Sequence, residues 1–162
     1  MPTLMTQPNF VETTIAEPGI RETLEAILGE QRSGVLATSF MDIPLCSQMA
    51  FVATHDLRAL IIVTPRQTAK YDNMSSNPNV SFLVSTARND PSDPANAQAL
   101  TVTAFATELD GERRHKAVNL FSRRHPTLSA FAAASDSAVM ELKVDSYCLV
   151  NNFQKLTRIG LG

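Results

Sequence analysis

Short apolar segments separated by very short turns constrain the fold of this chain more than any other feature. Val35–Phe40, Leu45–Thr54 and Ala59–Thr64 are mostly apolar, and the third is apolar almost throughout, as a strand buried on both faces would be. Only Asp42-Ile43-Pro44 and His55-Asp56-Leu57-Arg58 separate them, and these turns are too short for the crossover between parallel strands. The pattern therefore predicts antiparallel neighbours.

Three more segments predict strands, and four segments predict helices. The further strands are Val80–Val84, Leu100–Leu109 and Val139–Asn151, the last with a bend near Asp145-Ser146. The helices run from Glu17-Pro18 to Gly29 or Gly34, from Thr68 to Ser76, from Asp110 to Arg124 and from Pro126 to Ala134. Six strands linked mainly by tight turns predict a mainly β domain, an antiparallel barrel with helices packed outside it.

The length and the charge of the chain limit its organisation and its partners. Its 162 residues fit one domain, which we place at residues 18–162 behind a polar arm at residues 1–17. A net charge of −2 argues against nucleic acid and anionic membranes as partners, and no apolar run approaches the ~18 residues of a membrane span. Met1–Glu12 lacks the features of a signal peptide, so we expect a cytoplasmic protein. Cys46 and Cys148 are expected to be buried, reduced thiols.

The strongest candidate for a binding site is the stretch from Thr64 to Lys70. A strand ends at Thr64 and a helix begins at Thr68, where free N–H groups and the helix dipole favour an anion. Arg66 and Lys70 add a forked guanidinium and an ammonium, and the two threonines add hydroxyls, which together suit a phosphate monoester. The same pattern also fits a strand-to-helix turn with solvated basic residues.

Four segments together resemble the FMN-binding split barrels related to pyridoxamine 5′-phosphate oxidase. They are residues 44–52 (PLCSQMAFV), residues 63–70 (VTPRQTAK), Asn73-Met74 and residues 77–84 (NPNVSFLV). The resemblance is strongest from Gly34 to Val84 and continues more loosely through Leu100–Leu109. It implies a six-stranded antiparallel split β-barrel with flanking helices, FMN as cofactor, and a homodimer with the flavin site at its interface.

The resemblance also implies which residues bind the cofactor. Thr68 and Lys70 match the phosphate-binding residues of the family, and Arg66 stands in for an arginine that the true oxidases carry at the position of Ala69. The flavin ring is expected against the second strand. The expected cofactor-binding set is Ser47, Gln48, Met49, Ala50, Val63, Thr64, Arg66, Thr68, Lys70 and Gln98. No catalytic residue and no metal ligand is assigned.

The tail is similar to the branch of this family that includes haem-utilisation proteins. Ser122–Pro126, Met140–Leu142 and Tyr147–Phe153 carry that similarity. The helix before this tail is strongly basic, and one interpretation is a solvated helix face. The alternative is a patch for an anionic substrate or for haem propionates, with His115 or His125 as iron ligand.

Three functions stay open at this stage. The first is an FMN-dependent oxidoreductase that acts on a small-molecule substrate, in which a deazaflavin could replace FMN. The second is a haem-binding or haem-handling protein, and the third is a flavin-binding protein without enzymatic activity. Oxidation of pyridoxamine 5′-phosphate itself is not expected, because the Arg-x-His type signature of the family is matched only by Arg158.

Overall fold

The computed structural model describes residues 10–151 and 154–162, which form nine strands, five α-helices and one short 3-10 helix. The strands are β1 (Phe10–Thr14), β2 (Ser33–Phe40), β3 (Ile43–Ala50), β4 (Val52–Ala53), β5 (Ala59–Pro65), β6 (Asn79–Ser85), β7 (Ala99–Glu108), β8 (Ser137–Asn151) and β9 (Lys155–Gly160). The helices are α1 (Ile20–Glu30), α2 (Ala69–Ser76), α3 (Asp93–Asn96), α4 (Gly111–Arg124), the 3-10 helix (Pro126–Leu128) and α5 (Ser129–Ala133).

Six strand positions close into a barrel. β2 pairs with β3 on one side and with β6 on the other, and β6, β7, β8 and β5 follow in that order, all antiparallel. β4 continues β3 beyond Phe51 and pairs with β5 through Val52 and Ile61, which completes the ring. The prediction of a mainly β, six-stranded antiparallel split barrel with flanking helices is therefore confirmed.

Two strands outside this ring were not predicted. β9 pairs antiparallel with the second half of the long strand β8, and β1 pairs parallel with β9. Thr157 and Ile159 form the buried side of β9, a weak alternation that does not stand out in the sequence. Phe10–Thr14 therefore belongs to the sheet and not to a loose arm, while residues 1–9 lie outside the described part of the chain.

The helices fill the barrel or cover one of its sides. α1 packs Leu24, Ile27 and Leu28 into the main core, which also contains the buried ring of Phe82. α4 and α5 cover β5 and β8 from outside, and Phe121 lies in that second cluster. The four predicted helices are confirmed. Within the described part of the chain, no helix combines the length and the apolar character that a membrane crossing requires.

One outer surface of the barrel has a stretch without charged side chains, bordered by Lys143, which lies opposite Phe105, and by Arg158, which lies opposite Cys148. Because side chains alternate along a strand, the register fixes which residues of β3, β2, β6, β7 and β8 share this surface. They are Pro44, Cys46, Gln48, Val35, Ala37, Ser39, Ser81, Leu83, Ser85, Thr101, Thr103, Phe105, Ser146, Cys148 and Val150. We call this set the uncharged face, and Leu83 and Phe105 are exposed on it.

The two cysteines differ from their prediction. Both lie on the uncharged face, where Cys46 is exposed and Cys148 is partly exposed. The expectation that both thiols are buried was therefore wrong. The physical reason is the register of β3 and β8, which turns these two positions away from the barrel interior.

Gly34 lies inside β2 and does not end α1, which continues through Gly29 to Glu30. A Cβ atom at Gly34 would overlap the ring of Phe82 and would lie 2.6 Å from the carbonyl oxygen of Leu83. Glycine is therefore required here by the close approach of β2 to β6, and not by a helix end.

Candidate functional site

A shallow cleft opens where the barrel is split between β3 and β5. It has a volume of about 220 Å³. The residues that line it come from β3, β5, α2, α4 and the segment after α4: Gln48, Met49, Ala50, Val63, Thr64, Pro65, Lys70, Phe121, Leu128 and Phe131. Six of the ten residues expected to bind a cofactor are in this set, namely Gln48, Met49, Ala50, Val63, Thr64 and Lys70.

The split follows from the way β3 continues into β4. Among the described strands β3 pairs with β2 only, and pairing with β5 begins after the bend at Phe51, at Val52 and Ala53. The edge of β3 that faces β5 is therefore unpaired along the cleft. Unpaired main-chain N–H and C=O groups need partners, so this edge offers hydrogen bonds to a ligand in the cleft.

The start of α2 forms one end of the site. Thr68 is the N-cap, as predicted, and its Oγ1 accepts a hydrogen bond from the backbone N–H of Tyr71 at 3.3 Å. The hydroxyls of Thr64 and Thr68 lie 3.1 Å apart, which ties the end of β5 to the helix start. Lys70 follows in the first turn. Of the described residues that line the cleft, Lys70 alone carries a positive charge.

Arg66 lies close in sequence but does not line the cleft. Its Nη2 and Nε donate to the carboxylate of Glu108, at 3.0 and 3.4 Å, and its Nη1 donates to the carbonyl oxygen of Ser135 at 2.6 Å. The hydroxyl of Tyr71 donates to the same carboxylate at 2.6 Å. Arg66 is thus engaged by protein groups, which the sequence did not indicate.

Three further expected residues lie outside the lining of the cleft. Ser47 is on β3 but on the opposite side of the strand from Gln48. Thr68 supports Thr64 and the helix start instead of lining the cleft itself. Gln98 precedes β7 and exchanges hydrogen bonds with Thr86 through its backbone. Since β7 lies three strands from β3, Gln98 is roughly 14 Å away around the barrel, at ~4.8 Å per strand.

The wall of the cleft opposite β3 was not predicted from the sequence. Phe121, Leu128 and Phe131 form it, and Phe131 is 36% exposed although it is a large apolar side chain. The predicted break at His125-Pro126 is the only sequence signal for this wall, because it turns the chain back toward β5. Nothing in the spacing of residues 121–131 shows that they meet residues 48–50.

The basic helix α4 is largely held by protein groups. Arg113 pairs with Glu141 at 2.9 Å, and Arg114 donates to the carbonyl oxygens of Ala134 and Ser137 at 3.0 and 3.1 Å. Arg124 donates to the carbonyl oxygen of Gln31 at 2.8 Å. The interpretation as a solvated face therefore fits only part of the helix. Arg114 and Arg124 instead bind backbone carbonyls of neighbouring segments, which include those at the ends of α5 and α1.

His125 is a structural residue in this arrangement. It is 8% exposed, its Nε2 lies 2.7 Å from the carbonyl oxygen of Phe51, and its ring packs on that of Phe121 at 4.8 Å. Since Phe51 is fully buried, Nε2–H of His125 supplies the donor that this carbonyl needs. His115, in contrast, is exposed on α4.

We expect His125→Ala to lower the free energy of unfolding by about 1–3 kcal/mol, because a buried carbonyl would lose its donor. Urea denaturation would measure the change. His115→Ala is the matched control, and its stability should stay within about 0.5 kcal/mol of wild type. Equal stability of both variants would contradict the structural role of His125.

Comparison with known proteins identifies the family. A family model described as pyridoxamine 5′-phosphate oxidase matches residues 20–150. No curated protein matches the chain significantly. Among solved structures, a haem-binding protein from Mycobacterium smegmatis is similar with a TM-score of 0.78 and 16% identity, over 89% of this chain and 59% of that protein. This chain thus spans less than two thirds of the mycobacterial protein.

Two other solved structures cover most of both chains. HutZ, a haem storage protein from Vibrio cholerae, has a TM-score of 0.67 and 17% identity, over 76% of this chain and 88% of HutZ. An FAD-binding protein from Mesorhizobium loti has a TM-score of 0.61 and 17% identity, over 80% of this chain and 90% of that protein. At these identities the structures support the fold, and the family rests on the match over residues 20–150. The chain belongs to the pyridoxamine 5′-phosphate oxidase family.

Proposed function

We propose that this protein is an FMN-binding flavoprotein and an oxidoreductase that acts on a small-molecule substrate. One observation carries the proposal. Six residues expected from the sequence to hold a flavin line a single cleft, although they come from β3, β5 and α2. The family match and the FAD-binding neighbour support the choice of a flavin.

The chemistry of the cleft suits both parts of FMN. Met49, Ala50 and Val63 supply an apolar wall for the ring, and the unpaired edge of β3 supplies hydrogen-bonding groups for its polar rim. Lys70 and the N–H groups in the first turn of α2 supply a cation and donors for the phosphate. The phosphate end and the ring end of the ligand therefore have separate partners.

A bound flavin would supply the redox chemistry, since its N5 accepts or donates a hydride. The residues of this chain bind and orient it. Gln48 is the polar side chain of the ring wall, and Phe131 and Leu128 exclude water from the opposite side. Enclosure of this kind lowers the local dielectric constant and strengthens the polar contacts that the ring makes.

We also propose that the protein is a homodimer with the cleft at its interface. The cleft of one chain, at about 220 Å³, is smaller than the roughly 300–1,000 Å³ of typical ligand pockets. The uncharged face reaches the cleft through Gln48, and core regions of homodimer interfaces are depleted of charge. A two-fold partner seated on this face would cover the cleft and is the arrangement that could bring Gln98 of one chain toward the flavin of the other.

The dimer can be tested by placing a charge at the centre of the uncharged face. Ala37→Glu is expected to shift the protein from dimer to monomer and to weaken FMN binding at least tenfold, because a buried unpaired carboxylate is costly. Light scattering after gel filtration and FMN titration would measure the two effects. Ala26→Glu, on the exposed side of α1, is the matched control and should change neither. An Ala37→Glu variant that remains dimeric would contradict this interface.

Direct ligand titration tests the proposed function. Purified protein would be titrated with FMN, with a deazaflavin and with haem, following flavin fluorescence and the haem Soret band. Tight FMN binding followed by bleaching on addition of NADH or NADPH supports the oxidoreductase. FMN binding without reduction by either nicotinamide favours a flavin-binding protein without enzymatic activity. Binding of haem but not of either flavin would overturn the proposal in favour of the haem-handling alternative.

A further inference from the structure

We propose that Arg66 is a positioning residue that fixes the Phe131 wall of the cleft, with Glu108 holding its guanidinium and Tyr71 holding the Glu108 carboxylate, and that it does not bind the cofactor phosphate. This inference rests on the proposed flavin site. It gives Arg66 a role different from the phosphate contact that the resemblance to the family implies. We call Arg66, Glu108 and Tyr71 the clamp.

The guanidinium of Arg66 is directed at protein groups. All three of its nitrogens donate to protein groups: Nε and Nη2 to the Glu108 carboxylate, and Nη1 to the carbonyl oxygen of Ser135. A forked contact to a carboxylate has the same geometry as a forked contact to a phosphate, so one guanidinium fork cannot serve both at once. The Nε–Nη2 fork of Arg66 is therefore not available to a phosphate while Arg66 pairs with Glu108.

The negative charge of Glu108 also disfavours a phosphate at Arg66. The guanidinium of Arg66 holds the pKa of the Glu108 carboxyl below its usual range, so the carboxylate is ionised at neutral pH. A phosphate dianion brought to Arg66 would meet this negative charge, and like charges in close contact are unfavourable. Within the described residues Lys70 forms no salt bridge with a carboxylate, and it lines the cleft. The geometry therefore favours Lys70 as the phosphate cation and Arg66 as part of the scaffold.

Arg66 also holds the turn between α5 and β8 in place. Its backbone N–H donates to the carbonyl oxygen of Asp136 at 3.1 Å, beside the contact between its side chain and Ser135. The hydroxyl of Ser137 donates to the carbonyl oxygen of Phe131 at 2.7 Å. Arg114 holds the carbonyl oxygens of Ala134 and Ser137, and Arg66 holds the turn at Ser135 and Asp136 between them. Loss of the Arg66 side chain would loosen this turn, which follows directly on the helix that carries Phe131.

The ion pair itself contributes little stability, since both side chains are about one third exposed. The ion pair instead fixes the position of the wall of the cleft. A wall residue at the wrong distance lowers the affinity for any ligand in the cleft, because the ligand must then reorganise the wall on binding. The clamp should therefore affect the binding of the ring, which FMN and riboflavin share, and not the binding of the phosphate, which riboflavin lacks.

Titration of full-length wild-type and variant protein with FMN and with riboflavin separates the two roles. We expect Arg66→Ala, Arg66→Lys and Glu108→Gln each to weaken FMN and riboflavin by the same factor, roughly fivefold to twentyfold. Arg113→Ala and Glu141→Gln, which break a comparable ion pair outside the cleft, are matched controls and should bind both ligands as wild type does. Thermal denaturation would confirm that every variant is folded.

Three results would overturn the assignment. If Arg66→Ala weakens FMN and leaves riboflavin unchanged, Arg66 binds the phosphate. If Glu108→Gln tightens FMN, the carboxylate competes with the phosphate and does not support the site. Arg66→Lys keeps the charge but loses the fork, so wild-type affinity in this variant would also contradict the positioning role.

A second measurement does not depend on flavin. Amide hydrogen exchange over residues 129–137 should be faster in Arg66→Lys and Glu108→Gln than in wild type and in the Glu141→Gln control. Unchanged exchange there would overturn the clamp. If wild-type protein binds neither flavin but the exchange difference is present, the proposed function fails while the clamp stands.

Discussion

Lys70→Ala is expected to lower the affinity for FMN roughly tenfold to hundredfold and to leave the affinity for riboflavin unchanged. The reason is that Lys70 is the positive charge of the cleft lining, at the start of α2, where the helix N–H groups also favour an anion. Removing the ammonium removes a charge-assisted contact to phosphate but no contact to the ring. Isothermal titration with both ligands measures the difference.

Ionic strength provides an independent check on the same site. The ratio of FMN affinity to riboflavin affinity should decrease with added salt in wild-type protein and should depend less on salt in Lys70→Ala. Lys116→Ala, on the exposed side of α4, is the matched control and should bind both ligands as wild type does. Equal losses of FMN and riboflavin in Lys70→Ala would show that the phosphate binds elsewhere.

Gly34→Ala is expected to destabilise the protein by about 1–3 kcal/mol or more. The added methyl group would lie 2.6 Å from the carbonyl oxygen of Leu83 and would overlap the ring of Phe82, which is fully buried. A backbone oxygen cannot rotate away as a side chain can, so β2 and β6 would have to separate. Urea denaturation measures the loss of stability. An unchanged slope of the unfolding free energy against urea concentration would confirm that the variant still unfolds in two states.

The same substitution at Gly29 should have the opposite effect on stability. Gly29 is exposed in the last turn of α1, and no neighbouring atom lies within 4 Å of the added methyl group. Alanine favours a helix over glycine by about 0.5–1 kcal/mol, so this variant should be slightly more stable than wild type. If both variants have wild-type stability, the close approach at Gly34 is not a constraint on the barrel.

The barrel was predictable because local signals agree with its topology. Turns of a few residues impose antiparallel neighbours between β2 and β3 and between β4 and β5, and alternation marks the buried side of β7. β1 and β9 were missed for the opposite reason. Their pairing joins residues that are about 150 positions apart, and no local pattern in either strand requires it.

Only part of the candidate site could be predicted, and there is a physical reason why the remaining residues could not. Thr64 and Lys70 could be singled out from a local pattern, a strand end followed by a helix start, whereas residues 48–50 and Val63 were expected only through the resemblance to the family; all of them line the cleft. Glu108 and Ser135, which hold Arg66, are 42 and 69 positions away from it, so the sequence around Arg66 carries no trace of them. The Phe131 wall was missed because it depends on how α4 turns at His125 and docks beside β5.

The split between β3 and β5 has a consequence for how members of such a family could diverge. Main-chain groups along that seam are not committed to each other, so a ligand of another shape can be accommodated there without breaking the ladder of the sheet. Substitutions of side chains on β3, β5 and α2 would then change the shape and charge of the cleft without changing the pairing of the barrel strands. Solved structures with the same architecture include a haem storage protein and an FAD-binding protein, so one fold is used by proteins with different planar ligands.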